Sequence, residues 1–305
     1  MSALICGSLA FDTITNFPGR FAQQILPDQV HILNVSFLVP TMRREWGGCA
    51  GNIAYTHKLL GGEPVILAAL GSDGEDYLVR LRELGIDTSA VLIERDQYTA
   101  QCVIITDQDN NQITAFHPGA MSVAHHAAVP TRARRSDLAI GIIAPDGRIA
   151  MGEHAHQMHA QGIPFVFDPG QQLPQFDGAE HREILGMARW VAVNDYEARM
   201  LSERTGESLS AISRRPNIDG VVVTLAEQGC EVWRQGSRTH VPGSTADTLV
   251  DPTGCGDAFR AGLLYALERG WPLESAAALG NRLGAIKIAH RGGQNHRFDA
   301  AALTL

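Results

Sequence analysis

The sequence predicts an α/β protein with a mostly parallel central sheet and a small β lid. Three observations carry that expectation. Beyond residue 117, short apolar β-rich runs alternate with helical patterns, the rhythm of βα units in a parallel sheet. Two β-branched stretches, 30–39 and 100–116, interrupt the rhythm and are too poor in helix formers to be crossover helices. Finally, 305 residues that are 45% hydrophobic and 19% charged suit one large α/β domain with an insertion, or two domains, and exclude a disordered chain.

In chain order, Ala3, Leu4, Ile5 and Cys6 make a short apolar strand. Asp12 follows its carboxyl end, where open α/β sheets bind ligands, although a turn or cap would explain it equally well. Residues 13–46 are expected to hold a strand pair outside the main sheet, built on 30–39. In the second stretch, 101–106 and 112–116 flank Asp107, Gln108, Asp109, Asn110 and Asn111, a hairpin signal. Two such insertions are most simply one sheet covering the mouth of the large domain. Between them, Gly47, Gly48 and Asn52 lead into a helix carrying Tyr55, Leu59 and Leu60. The glycines let backbone approach a ligand, and Asn52 offers a donor and an acceptor to a polyhydroxyl compound; the alternative is an ordinary loop-to-helix turn. A buried strand and turn over 64–73 and a helix over 77–84, closed by Gly85, complete this half.

Further strands are predicted at 138–143, 164–168, 190–193 and 220–224, with a helix over 151–161. His154, His156 and His159 on that helix lack the pairing and the Glu of H-E-x-x-H, and read as a solvated face. Asn194 followed by Glu197 is a capping-box arrangement, sufficient to explain both without a ligand. Residues 230–233 read as an antiparallel addition at the sheet edge, and 276–289 as a helix that includes Asn281.

The chain is organised around Val250, Asp251, Pro252, Thr253, Gly254, Cys255, Gly256, Asp257, Ala258 and Phe259, a glycine-punctuated turn running into an amphipathic helix. Three successive amides, at Gly254, Cys255 and Gly256, can converge on an anion that the helix dipole also favours. Asp257 beside that anion would repel a phosphate unless a substrate hydroxyl lies between and gives the carboxylate its proton, which is a phosphoryl-transfer geometry. The alternative is an Asp-Pro turn whose Asp257 only complements the dipole. Of 25 basic residues only Lys58 and Lys287 are lysines, and neither stands in a G-x-x-x-x-G-K-[ST] loop, so a P-loop enzyme is excluded. Any phosphate must be held by amides, arginines or metal ions. A net charge of −8 argues against a duplex nucleic-acid surface. Five cysteines without a C-x-x-C pair suggest reduced thiols. With no cationic leader and no apolar run near the ~18 residues of a membrane span, the expected location is the cytoplasm.

On these residues the chain resembles the ribokinase, or PfkB-type, family of carbohydrate and nucleoside kinases over nearly its whole length. The run from Asp251 to Phe259 is similar to the family's D-x-T-G-A-G-D-x-F signature, and Gly47, Gly48 and Asn52 match its upstream glycine pair and asparagine. The resemblance implies a ribokinase-like three-layer sandwich, with 1–12, 47–98 and 117–305 as the large domain and 13–46 and 99–116 as the lid. It implies a phosphotransferase in which Asp257 takes the proton of an alcohol and the amides of Gly254, Cys255 and Gly256 stabilise the moving phosphoryl. Asp12, Gly47, Gly48 and Asn52 would bind the acceptor; Asn194, Thr224, Gly229 and Asn281 would line an ATP site, and Glu197 would act on Mg²⁺ through water. Asp251, Thr253 and Gly293 match where many members hold a monovalent cation, K⁺ among them. Cys255 replaces the commoner alanine, Pro252 stiffens the turn, and Ala226 stands where the family's T-x-G element has its glycine.

Within the family, residues 114–121, 168–174 and 293–296 look like bacterial adenosine-kinase-type members, which implies 5′-phosphorylation of a nucleoside, adenosine first. Phe37 and Phe116 fit base stacking, lid core or a dimer contact. Exposed lid edges imply a homodimer. The rival readings are a kinase of a free sugar or sugar phosphate, of ribose or fructose type, and a non-catalytic ligand- or NAD-binding protein; against the latter, Gly7, Ser8, Leu9 and Ala10 supply one glycine where a dinucleotide loop needs three.

Overall fold

The apolar runs anticipated for a parallel sheet pair side by side in the computed structural model, which describes residues 1–25, 34–109, 111–131 and 135–303. Its strands are β1 (Ser2–Cys6), β2 (Ala10–Asn16), β3 (Thr41–Gly47), β4 (Pro64–Gly71), β5 (Asp87–Glu94), β6 (Ala100–Thr106), β7 (Gln112–His117), β8 (Leu138–Ile143), β9 (Phe165–Phe167), β10 (Trp190–Asn194), β11 (Gly220–Thr224), β12 (Gly229–Arg234) and β13 (Ser237–Pro242). Nine of these form one sheet in the order β13-β12-β11-β10-β9-β8-β1-β4-β5, parallel from β5 through to β11. β12 and β13 add antiparallel at one end.

Both faces of the large sheet are covered, which is why β1 and β4 are buried along their whole length and read as unbroken apolar runs. Ala3 and Ile5 point to one core with Ala258, Leu263, Leu264, Ala276 and Leu283 from the helices Cys255–Glu268 and Leu273–Ile288. Leu4 and Cys6 point to the other, with Met151, Met158, Ile184 and Leu201 from the helices Arg148–Ala160, Gly178–Met187 and Asp195–Thr205. The strand order turns back on itself at β1, between β8 and β4. A crevice at the carboxyl ends beside such a point is where an open α/β sheet receives ligands.

The remaining strands form a four-stranded sheet, β3-β2-β6-β7. The expected hairpin is its β6–β7 pair, joined antiparallel with Gln101 opposite His117 and Thr106 opposite Gln112. The other expected strand is displaced. Residues 30–33 lie outside the described part of the chain and 34–39 adopt no regular structure; the pair is formed instead by β2 and β3. Phe37 packs edge-on at 5.0 Å against both Phe17 and Phe21, so its β-like apolarity serves an aromatic cluster. The histidine helix also differs from expectation: His154 is buried, its Nε2 within 3.0 Å of the Ala127 carbonyl. Among the described residues no helix is long and apolar enough to cross a membrane.

Ala226, in the turn between β11 and β12, has φ of 51°, a left-handed conformation unusual for a residue with a Cβ. Ala226→Gly is expected to be at least as stable as the wild type in urea titrations, whereas Ala226→Val loses about 1–2 kcal/mol.

Candidate active site

The turn and its helix set the site. Gly254 caps Cys255–Glu268 with φ of 79°, the left-handed region that glycine enters at no steric cost. The Cys255 amide donates to the Pro252 carbonyl at 3.1 Å, closing the turn, so it is not one of three free donors as expected. Among the described residues the amides of Gly254, Gly256 and Asp257 donate to no protein acceptor, and they sit at the positive end of a fourteen-residue helix.

Asp257, in the first helical turn, accepts a hydrogen bond from Asn52 Nδ2 at 2.8 Å. The partner comes from the helix Cys49–Leu59, whose N-cap is Gly48, so the two glycine-led helices meet through these side chains. Gln294 Nε2 donates to Asn52 Oδ1 at 3.2 Å and to the Tyr77 hydroxyl at 2.5 Å, and that hydroxyl donates to the Gly47 carbonyl at 2.7 Å. With Oδ1 engaged from behind, Asn52 has its amino group turned toward Asp257. Gly293 lies against this amide so closely that a Cβ there would collide with it.

Asp12 lies in β2, neither a turn nor a cap, opposite Glu45 of β3 and Cys102 of β6. A Cβ on Gly47 would come within 2.5 Å of the Asp12 carboxylate, so the expected acceptor-binding residues Asp12, Gly47, Gly48 and Asn52 cluster beside Asp257. Desolvation pushes the Asp257 pKa up to about 6, helped by Asp168 and opposed by the Asn52 bond and Arg260. Desolvation also lifts Asp12 to about 6, reinforced by Asp257, Glu45 and Asp251.

Sequence reasoning missed Arg260. One turn beyond Asp257 and buried, it grips Asp168 with both forks, Nε to Oδ2 at 2.9 Å and a terminal nitrogen to Oδ1 at 3.1 Å, and lies 3.8 Å from Glu197. Arginine at i+3 from the signature aspartate was the available signal.

The expected nucleotide residues lie along the carboxyl ends of β10 and β11. Asn194 and Thr224 are paired neighbours there, and Asn194 forms the anticipated capping box, Oδ1 accepting from Glu197 N at 2.7 Å while Glu197 Oε2 accepts from Asn194 N at 2.8 Å. Gly229 opens β12 at φ of 93°. Asn281 donates to the Pro242 carbonyl at 3.0 Å, tying its helix to the end of β13.

Of the expected cation ligands Asp251, Thr253 and Gly293, Asp251 is engaged through both its carboxylate and its carbonyl. Asp251 Oδ1 accepts from Thr253 N and Oδ2 from Gly292 N, both at 2.9 Å, and the Asp251 carbonyl accepts from Lys287 Nζ at 2.8 Å. The Lys287 ammonium at the Asp251 carbonyl puts a positive charge where a diffusible K⁺ was expected, which disfavours a second cation there.

A helix-capped anion site with a basic carboxylate beside it, at the switch point of a parallel sheet, defines a phosphotransferase with a hydroxyl acceptor. The chain belongs to the pfkB family of carbohydrate kinases, whose profile matches residues 20–300. It is similar to the nucleoside kinase of Burkholderia thailandensis in complex with inosine, 44% identical with a TM-score of 0.86 over 99% of this chain and 95% of that one. The same relative in complex with ADP-inosine superposes with a TM-score of 0.84 at 46% identity, over 99% and 93% of the two chains. The nucleoside kinase of Methanocaldococcus jannaschii is 28% identical over 86% of this chain and 85% of its own length.

With Asp257 as the group that must be ionised, turnover is expected to fall as pH drops below about 6, tenfold per unit at the limit. Asn52→Leu removes the bond that lowers the Asp257 pKa, so the acid limb of the kcat–pH profile moves to higher pH; an unmoved limb would deny the contact that role.

Proposed function

We propose that this chain transfers the γ-phosphoryl of ATP to the 5′-hydroxyl of a nucleoside, with adenosine the first candidate and inosine, bound by the Burkholderia relative, the second. The observation that carries the reading is the Asn52–Asp257 contact at the mouth of the unpaired amides of Gly254 and Gly256. Asp257 takes the hydroxyl proton as the oxygen attacks, and the amides hold charge on the phosphoryl in flight. Asp12, Gly47, Gly48 and Asn52 orient the acceptor. The four-stranded sheet, which carries Asp12, serves as the lid over it, with 13–46 and 99–116 as the lid segments.

ATP lies along the β10 and β11 ends, against Asn194, Thr224 and Gly229, with Asn281 holding the β13 end beside them. Among the described residues no three acidic, cysteine or histidine side chains converge as a metal cage, and Glu197 has one oxygen committed to its cap. That set fits Mg²⁺ carried in on a polyphosphate and reached through water, where it would neutralise phosphate charge. A second copy pairs on the small sheet: β7 is exposed along its whole length, with Phe116 half-exposed, and an open edge of that kind invites another strand.

A coupled ADP-release assay across nucleosides and free sugars tests the acceptor, and preference for ribose or fructose would replace this reading with the sugar-kinase alternative. Asp257→Asn is expected to lower kcat by at least ~10²-fold while leaving ATP binding intact. Sedimentation at high concentration tests the pairing, which a monomer would contradict.

A further inference from the structure

Behind the turn, the Asp251 carbonyl faces an ammonium supplied by the chain itself. Lys287 lies in the last turn of the helix Leu273–Ile288 and is fully buried. Its Nζ donates to the carbonyls of Asp251 at 2.8 Å and His290 at 2.9 Å. The amides of Val250 and Asp251 both donate to the Ile288 carbonyl, at 2.9 and 3.0 Å, so the segment entering the turn is pinned to the same helix end. On the far side, Asp251 Oδ2 holds Gly292 N, which fixes the start of the 292–294 segment whose Gly293 and Gln294 press on Asn52.

Burying an ammonium is costly unless its surroundings compensate. The other lysine, Lys58, pairs with Glu63 at a solvent-exposed contact; Lys287 makes no such surface pair among the described residues. Burial pushes the Lys287 pKa down, opposed by Cys255, Asp251 and Asp257, while a helix C-terminus and two carbonyl dipoles hold the ammonium. The Asp251 carbonyl, at a residue expected to hold a monovalent ion, is thereby taken by this ammonium.

We infer that the Lys287 ammonium is a built-in monovalent cation, fixing the turn from Asp251 to Gly254 and lending positive charge to the anion site, so that phosphoryl transfer needs no added potassium. The inference rests on reading the Gly254 and Gly256 amides as the phosphoryl site. Lys287 touches no substrate; it is a positioning residue.

Three measurements test it. Thermal unfolding of the wild type is compared in potassium chloride and tetramethylammonium chloride at equal ionic strength, and the melting curves are expected to coincide. Wild-type turnover is measured in the same two salts and is expected to be equal. Lys287→Met is expected to lose ~10²-fold in kcat in tetramethylammonium with little change in the nucleoside KM, and to regain about tenfold when potassium or ammonium is supplied. A wild type that needs potassium for turnover, or is stabilised by it, overturns the inference. So does a folded Lys287→Met that is fully active without potassium or is not rescued by it. Should Lys287→Met fail to fold, the wild-type salt comparison still decides. Should the wild type phosphorylate no nucleoside, the substrate reading falls, while the melting comparison continues to test the cation.

Discussion

Everything at the site depends on one hydrogen bond, from the Asn52 amide to the Asp257 carboxylate at 2.8 Å, between residues 205 positions apart. It joins two helices that each begin at a positive-φ glycine, Gly48 and Gly254. Neither side chain could be placed by its own helix alone. Asn52 is held from behind by Gln294, Gln294 by Tyr77 and Tyr77 by the Gly47 backbone, so an error of register in any of these segments would leave a buried amide unpaired. Although Gln294 Oε1 is left without a partner among the described residues, the rest of the relay ties the segments to one mutual arrangement.

The second constraint is electrostatic. Asp12, Asp168, Glu197, Asp251 and Asp257 approach one another in a site meant to receive polyanions, and in a low dielectric that crowding is prohibitive without fixed positive charge. Arg260 meets part of the need. By holding Asp168 bidentately it keeps that carboxylate occupied and its own charge close to Asp257 and Glu197. Lys287 acts on the other side of the turn. The balance leaves Asp257 with a pKa raised to about 6, ionised at neutral pH yet more basic than a solvated carboxylate, which suits a group that accepts a proton from an alcohol.

The legibility of the sequence followed burial. Strands buried on both faces, such as β4, β8 and β11, announced themselves as apolar runs, and the capping box at Asn194 and Glu197 was readable because its chemistry is local. β2, β3, β5 and β13 were not seen. They border sheets or lie in the small one, and Thr41–Gly47 or Ser237–Pro242 carry mostly polar side chains because little of them needs covering. Residues 34–39 misled for the converse reason: Phe37 is apolar for an aromatic cluster that needs no strand. At the site, the glycine turns and Asp257 were legible as local patterns, whereas Gln294, Arg260 and Lys287 gain meaning only from partners far away in the chain.

On the proposed reading, the turn accounts for phosphoryl binding in a protein with two lysines. Free amides at a helix start are ordinarily satisfied by water or by a capping side chain, and here Gly254 supplies none. Pro252 contributes its carbonyl to the Cys255 amide, which closes the turn and leaves the amides of Gly254 and Gly256 without a protein acceptor among the described residues. Their charge is the partial charge of the helix end, too small alone to offset the neighbouring Asp257. The cations that supply the difference, Arg260 and Lys287, are both buried and both engaged by protein acceptors, Asp168 and the Asp251 carbonyl. A positive charge reaching into the site would pair with the phosphate in the ground state as strongly as in flight, and uniform binding of that sort does not accelerate transfer. On the proposed reading, main-chain donors meet the phosphoryl while cations already held by protein acceptors offset the carboxylate assigned to deprotonate the alcohol.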